Sequence, residues 1–131
     1  MTNHKLNVIV FTNNDREATD IGFLLSQNNW EVALAWNERQ FREYEEGFNT
    51  DAIVVILEDK EFLEDDLLKK LIPNYPVILI DNLPASKENK NWIFSLVDKG
   101  AYKVDHHKIQ SELKRTILSS VLFYRSGEMT A

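Results

Sequence analysis

The sequence predicts a single α/β domain built around a parallel sheet, and three observations carry that prediction. Five short apolar runs alternate with amphipathic stretches along the chain, and strands separated by helices join through right-handed crossovers into a parallel sheet. The third run, residues 51–57 (DAIVVIL), is continuously aliphatic and β-branched rather than alternating, which is the pattern of a central strand covered on both faces. A length of 131 residues suits one domain with a sizeable core.

Each element has a local reason. Residues 6–11 (LNVIVF) read as the first strand and end in the polar cluster Thr12-Asn13-Asn14-Asp15. Asp15 is the expected N-cap of a helix reaching about Asn28, with Ala18, Ile21 and Leu25 recurring at helical spacing. Asn28-Asn29 stops it, because Asn tolerates the left-handed conformation of a helix end. Residues 31–36 (EVALAW) form the second strand, and residues 37–48 a charged helix with Phe41 and Tyr44 on one side. Residues 51–57 form the third strand, followed by a helix over 61–71 with Leu63, Leu67, Leu68 and Leu71 inward. Pro73 and Pro76 bracket the loop before the fourth strand, residues 77–80, and Pro84 lies in the loop after it.

The fourth helix begins at Ser86 or Glu88 and runs through Lys99, with Trp92, Phe94, Leu96 and Val97 supplying apolar surface and Gly100 ending it. Residues 101–105 (AYKVD) are the fifth strand, and residues 110–124 the last helix, with Leu113, Ile117, Val121 and Tyr124 at helical spacing. The domain is expected to span residues 1–125, with 126–131 as a tail or linker. Five strands and five helices suggest the flavodoxin-like, doubly wound order 2-1-3-4-5.

Composition removes several classes of function. The chain has no cysteine, which excludes a disulfide scaffold, a thiolate metal site and a Cys nucleophile. No apolar run is long enough to cross a membrane, and the first residues carry no export-signal pattern, so a cytoplasmic location is expected. A formal charge of −6, with basic residues scattered among acids, argues against direct nucleic-acid binding. No Gly-rich phosphate loop follows the first strand, and the chain has only four glycines, so a nucleotide or flavin cofactor is not expected. No nucleophile elbow is present, and no enzymatic activity is expected.

In this fold class the ligand crevice lies at the carboxyl ends of the strands. The segments Leu24-Leu25-Ser26-Gln27-Asn28-Asn29-Trp30-Glu31-Val32, Asp51-Ala52-Ile53-Val54-Val55, Pro76-Val77-Ile78 and Gly100-Ala101 together resemble, in order, the pattern of response-regulator receiver (CheY-like) domains across residues 5–124. Carried over by position, the resemblance places Thr12-Asn13 where receivers keep the acidic pair that holds Mg²⁺. It places Ile56 at the phosphate-accepting Asp, Asp81 at the Thr or Ser that contacts the phosphoryl group, and His107 at the Lys after the fifth strand. Neutral oxygens hold Mg²⁺ poorly, an isoleucine has no nucleophile, and a carboxylate at position 81 opposes an anion. The resemblance therefore implies a pseudo-receiver that binds partners without accepting phosphate. A register shift offers Glu58 or Asp59 as an alternative acceptor, and a flavodoxin-like domain binding a small ligand is the third reading.

Receivers transmit through the face of the fourth helix, fifth strand and fifth helix, so the resemblance implies a protein partner or homodimer there. Candidate interface residues are Trp92, Tyr102, Val104, Leu113 and Tyr124. It also implies a regulatory N-terminal domain of a bacterial transcriptional or two-component regulator.

Three other signals have plain structural readings. His106 and His107 are expected to point to opposite faces of a strand end rather than converge on a metal. Asp81 and His107 are expected to pair across the vacant pocket. The acidic run at residues 58–66 lacks EF-hand spacing and suits a solvated helix start.

Overall fold

A computed structural model describes residues 5–58 and 65–129, the side chains of Asp65 and of residues 125–129 excepted. The elements run β1 (Asn7–Phe11), α1 (Asp15–Ser26), β2 (Glu31–Ala35), α2 (Glu38–Gly47), β3 (Ala52–Leu57), α3 (Asp65–Leu71), β4 (Val77–Asp81), α4 (Lys87–Asp98), β5 (Tyr102–Asp105), a 3₁₀ turn (His106–Lys108) and α5 (Ile109–Met129). The five strands form one sheet in the order β2-β1-β3-β4-β5, and every neighbouring pair is parallel. This is the predicted doubly wound arrangement.

The sheet divides the core into two layers, and β3 shows how. All six of its residues are buried. Ala52, Val54 and Ile56 join the layer containing Ile21 and Leu25 of α1 and Leu113 and Ile117 of α5. Ile53, Val55 and Leu57 join the opposite layer, with Phe41 of α2, Leu68 of α3 and Leu96 of α4. A strand with period-2 side chains and apolar residues at every position has to be covered on both sides. Each fully buried aliphatic side chain contributes about 1.5–3 kcal/mol relative to exposure. In the second layer the Phe11 and Phe41 rings sit 5.6 Å apart in a tilted arrangement.

Turn chemistry fixes the ends. Asn29 takes φ 63° and Gly100 φ 120°, so the two helix stops expected at those positions use the left-handed region that Asn and Gly tolerate. Ser86 caps α4, its side chain accepting from the Asn89 N–H.

Three boundaries depart from the sequence reading. Asn14, not Asp15, is the N-cap of α1, its Oδ1 accepting from the Glu17 N–H. The 3₁₀ turn intervenes after Asp105, so α5 starts at Ile109. α5 also continues to Met129, so residues 126–129 are helical rather than a tail. The start of the helix predicted over 61–71, and the acidic run from residue 59 to 64, lie outside the described residues.

Candidate functional site

The carboxyl ends of β1, β3, β4 and β5 meet at one edge of the sheet. Register places Phe11 beside both Ala35 and Val55, Leu57 beside Asp81, and Asp81 beside Asp105. The residues that follow these positions build the crevice.

Its centre is a carboxylate held by two amides. Glu58, the residue after β3, accepts from Asn14 Nδ2 at 3.2 Å on each carboxylate oxygen. Its Oε1 also accepts from Asn82 Nδ2 at 3.2 Å. Asn82 is itself fixed by its backbone N–H, which donates to the Leu57 carbonyl at 2.9 Å. The side chain of Asn14 thus does two jobs: its oxygen caps α1 and its nitrogen holds Glu58. Hydrogen bonds to an ionised carboxylate are about twice as strong as neutral ones.

Thr12 is buried, and its hydroxyl accepts from the Asn14 N–H at 3.1 Å. Asn13 is exposed. Ile56 is 1% exposed and lies in the α1–α5 layer with Val54, Ile80 and Val104. The position that resemblance assigns to a phosphate acceptor is therefore core, and the acidic group facing the crevice is two residues later.

A second network lies on the β5 side. Asp81 Oδ1 accepts from the Leu83 N–H at 3.2 Å and so shapes the β4–α4 loop. Lys103 Nζ lies 3.0 Å from Asp105 Oδ1 and 3.9 Å from Asp81 Oδ2, with Lys108 Nζ 4.0 Å from the other Asp105 oxygen. The hydrogen bond from Lys103 holds the Asp105 carboxyl below its ordinary range; partial burial opposes this, and the charges of Lys103, Lys108 and His107 reinforce it.

This arrangement corrects one expectation, the pairing of Asp81 with His107. The register partner of Asp81 on β5 is Asp105 rather than His107. The expected Asp81–His107 pair does not form, because Lys103 supplies the cation next to Asp81, while His107 is exposed on the turn. His106 instead ties the turn to α1, its Nε2 lying 2.6 Å from Glu17 Oε1. His107 lines a small cleft with Glu17, Asp20 and Gln110 on the α1–α5 side. Among the described residues, no group of three or more His, Asp or Glu side chains is placed to hold a metal ion.

The resemblance to receivers implies Mg²⁺ at this crevice, and the donor set among the described residues does not suit it. Mg²⁺ requires several oxygens in near-octahedral geometry. The Thr12 hydroxyl is committed to a backbone N–H, and the amide groups beside Glu58 present N–H donors to the space a cation would need.

Of the candidate interface residues, Val104 and Leu113 are core, at 1% and 0% exposure, and cannot meet a partner. The resemblance assigned them to the contact face by element, but within those elements their side chains turn into the core. Trp92 and Tyr102 are half-buried and packed against the two core layers. Tyr124 is half-buried, its hydroxyl donating to the Asn74 carbonyl at 2.9 Å. Trp30 is buried, whereas Trp36 is exposed at the end of β2. The apolar surface of this face belongs instead to Phe94, 73% exposed, and Val97. With Ile93, Lys90, Lys103 and Asp81 they line an open groove of about 340 Å³ between α4 and β5. On α5, Leu122 and Phe123 are also exposed.

The sequence places Asn14, Asn82 and Asp105 at the strand ends that form the crevice but does not show their contacts, and Lys103 is the crevice residue that sequence reasoning missed. The available signal was Lys103, a charge inside an otherwise apolar strand pattern, which requires a nearby acid.

Solved structures with this architecture include receiver domains. The receiver domain of Francisella response regulator 1452 superposes with a TM-score of 0.72 at 21% identity, covering 92% of this chain and 99% of that one. A response regulator receiver domain protein from Clostridium thermocellum gives 0.72 at 18% identity, over 92% and 97%. A fusion containing amino acids 181–211 of the yeast Spc42 trimeric coiled coil gives 0.77 at 15% identity, over 100% and 89%. No protein-family sequence profile and no curated protein matches the chain. The fold is that of CheY-like receiver domains. Among the described residues, no helix is long and apolar enough to cross a membrane.

Proposed function

We propose that this chain is a receiver-like signalling module that acts through protein contacts and accepts no phosphoryl group. The observation that carries the reading is the Asn14–Glu58–Asn82 cluster, in which the crevice carboxylate is already engaged by amide donors. Ile56 in the core offers no nucleophile, and Asp81 adds negative charge beside the place a phosphoryl group would occupy. In this reading the domain performs no catalysis and binds no cofactor or nucleic acid. It serves as the regulatory N-terminal part of a bacterial transcriptional or two-component regulator in the cytoplasm.

The α4–β5–α5 face is the contact surface, and the groove under Phe94 and Val97 is its anchor. Exposed aromatic side chains beside a partly apolar groove are the usual centre of an interface.

Glu58 faces the crevice, and that position favours one alternative, a receiver using Glu58 as its acceptor. Asp59, the other candidate acceptor, lies outside the described residues. Incubation with acetyl phosphate, or with beryllofluoride and Mg²⁺, separates the readings by intact mass and fluorescence. The proposed module gives no adduct and no Mg²⁺-dependent change. A stoichiometric adduct refutes it, and loss of that adduct in Glu58→Gln would identify the acceptor.

A further inference from the structure

We propose that Glu58 is an internal anion permanently bound in the crevice, and that it latches the β4–α4 loop so that α4 is held in one arrangement. This rests on the reading of the domain as a receiver fold that is not phosphorylated.

The geometry supports an anion receptor that the chain fills itself. Two amide nitrogens from different loops, Asn14 after β1 and Asn82 after β4, converge on one carboxylate carried by a third, the β3–α3 connection. The Asn14 side chain is positioned by its cap to the Glu17 N–H, and the main chain that carries Asn82 by its bond to Leu57. The Asn14 half of the receptor therefore does not depend on Glu58 for its shape, and the two N–H donors favour an oxyanion over a cation. Immediately after Asn82, Asp81 Oδ1 fixes the Leu83 N–H, and the Asn89 side chain donates to the Pro84 carbonyl at 2.8 Å. These contacts make the loop continuous with the first turn of α4. A ligand can bias a loop only by binding its two arrangements differently. An anion that never leaves removes that choice, so the Phe94 groove is presented at all times.

Backbone amide exchange of the full chain, followed by NMR or mass spectrometry, tests the latch. Glu58→Ala should accelerate exchange of the hydrogen-bonded Asn82 and Leu83 amides about tenfold or more, with the β3 core still protected. Asn82→Asp should do the same by replacing a donor with a like charge. Asn14→Asp keeps the helix-capping oxygen while removing the donor, so it separates the latch from the cap and should also accelerate the loop. Sodium formate should slow exchange in Glu58→Ala, and sodium chloride at equal ionic strength should not.

Wild-type exchange at the residue 82 and Leu83 amides in folded Glu58→Ala and Asn82→Asp overturns the proposal. So does acceleration that formate and chloride suppress equally, or that neither suppresses, because the loss is then one of packing. A beryllofluoride adduct on the wild-type chain would overturn the unphosphorylated reading instead, and it leaves these exchange rates to be judged separately.

Discussion

Placing an aspartate where the receiver resemblance puts the phosphate acceptor should unfold the domain rather than restore its chemistry. Ile56 is 1% exposed and packs with Val54, Ile80 and Val104. Truncating a buried isoleucine costs about 2–5 kcal/mol. The added carboxyl has no donor in that layer and would be neutralised at a cost of about 1.4 kcal/mol per unit of pKa rise, so two units bring the total for Ile56→Asp to about 5 kcal/mol or more. That approaches the whole stability of an ordinary domain, about 5–15 kcal/mol. With a urea dependence of about 1.5 kcal/mol/M, the midpoint should fall by about 3 M. The loss should shrink at low pH: a carboxyl whose folded pKa is raised costs stability above its unfolded pKa, and the cost vanishes below it. Ile56→Val, which keeps the shape, should cost only about 1 kcal/mol. Urea denaturation followed by circular dichroism reads all three results. A wild-type midpoint for Ile56→Asp, or a folded Ile56→Asp that gains a phosphoryl group from acetyl phosphate, refutes the placement of this side chain in the core.

Other consequences are smaller. Gly100→Ala forces a side chain into φ 120° with its Cβ 3.4 Å from Ile72, and should cost about 1–3 kcal/mol by thermal melting. Asn37→Ala removes the side-chain acceptor of the Gln40 N–H at the start of α2 and should cost about 1 kcal/mol in the same assay. Phe94→Ser should leave stability within about 0.5 kcal/mol while weakening association through the α4 groove, read by sedimentation across a concentration series. Lys103→Met should raise the Asp105 titration midpoint seen by carboxyl NMR, since Lys103 is the main cause of its depression. The stability this pair supplies is present above the unfolded pKa and is lost as pH falls through the lower folded value. Asp105 is partly exposed, which limits the contribution to at most about 1 kcal/mol.

What was legible in the sequence is what local physics dictates. The uninterrupted apolar run of β3 has one meaning in a domain of this size, and Asn29 and Gly100 announce backbone that few other residues adopt. The crevice was legible only as a set of departures. The contacts within it were not, because Asn14, Glu58 and Asn82 are 44 and 24 residues apart in sequence, and an Asn beside a strand end reads equally well as a cap, a turn or a ligand. Asn14 and Asp15 are adjacent polar candidates for one cap, and only the backbone decides between them. The end of β5 at Asp105 was read correctly, but His106-His107-Lys108 carries no signal that marks the 3₁₀ turn after it. Val104 and Leu113 show the opposite limit, since the resemblance picks out a face by its elements and does not say which side chains of those elements turn inward.

The strand order also sets how the chain assembles. Pairings β1–β2, β3–β4 and β4–β5 each join residues 24 apart, as in Asn7 with Glu31, Ile53 with Val77 and Ile78 with Tyr102. β1 and β3 join Val8 to Ala52, 44 apart, a closure about 0.5 kcal/mol dearer in chain entropy. The molecule thus consists of a β1–α1–β2 unit and a β3-to-α5 unit, sealed along the middle of the sheet. Asp51 and Asn7 staple one end of that seam, each backbone N–H bonded to the other residue. Asn14 and Glu58 staple the other. Sub-global opening should run along this line, with the two units retaining protection after the seam exchanges.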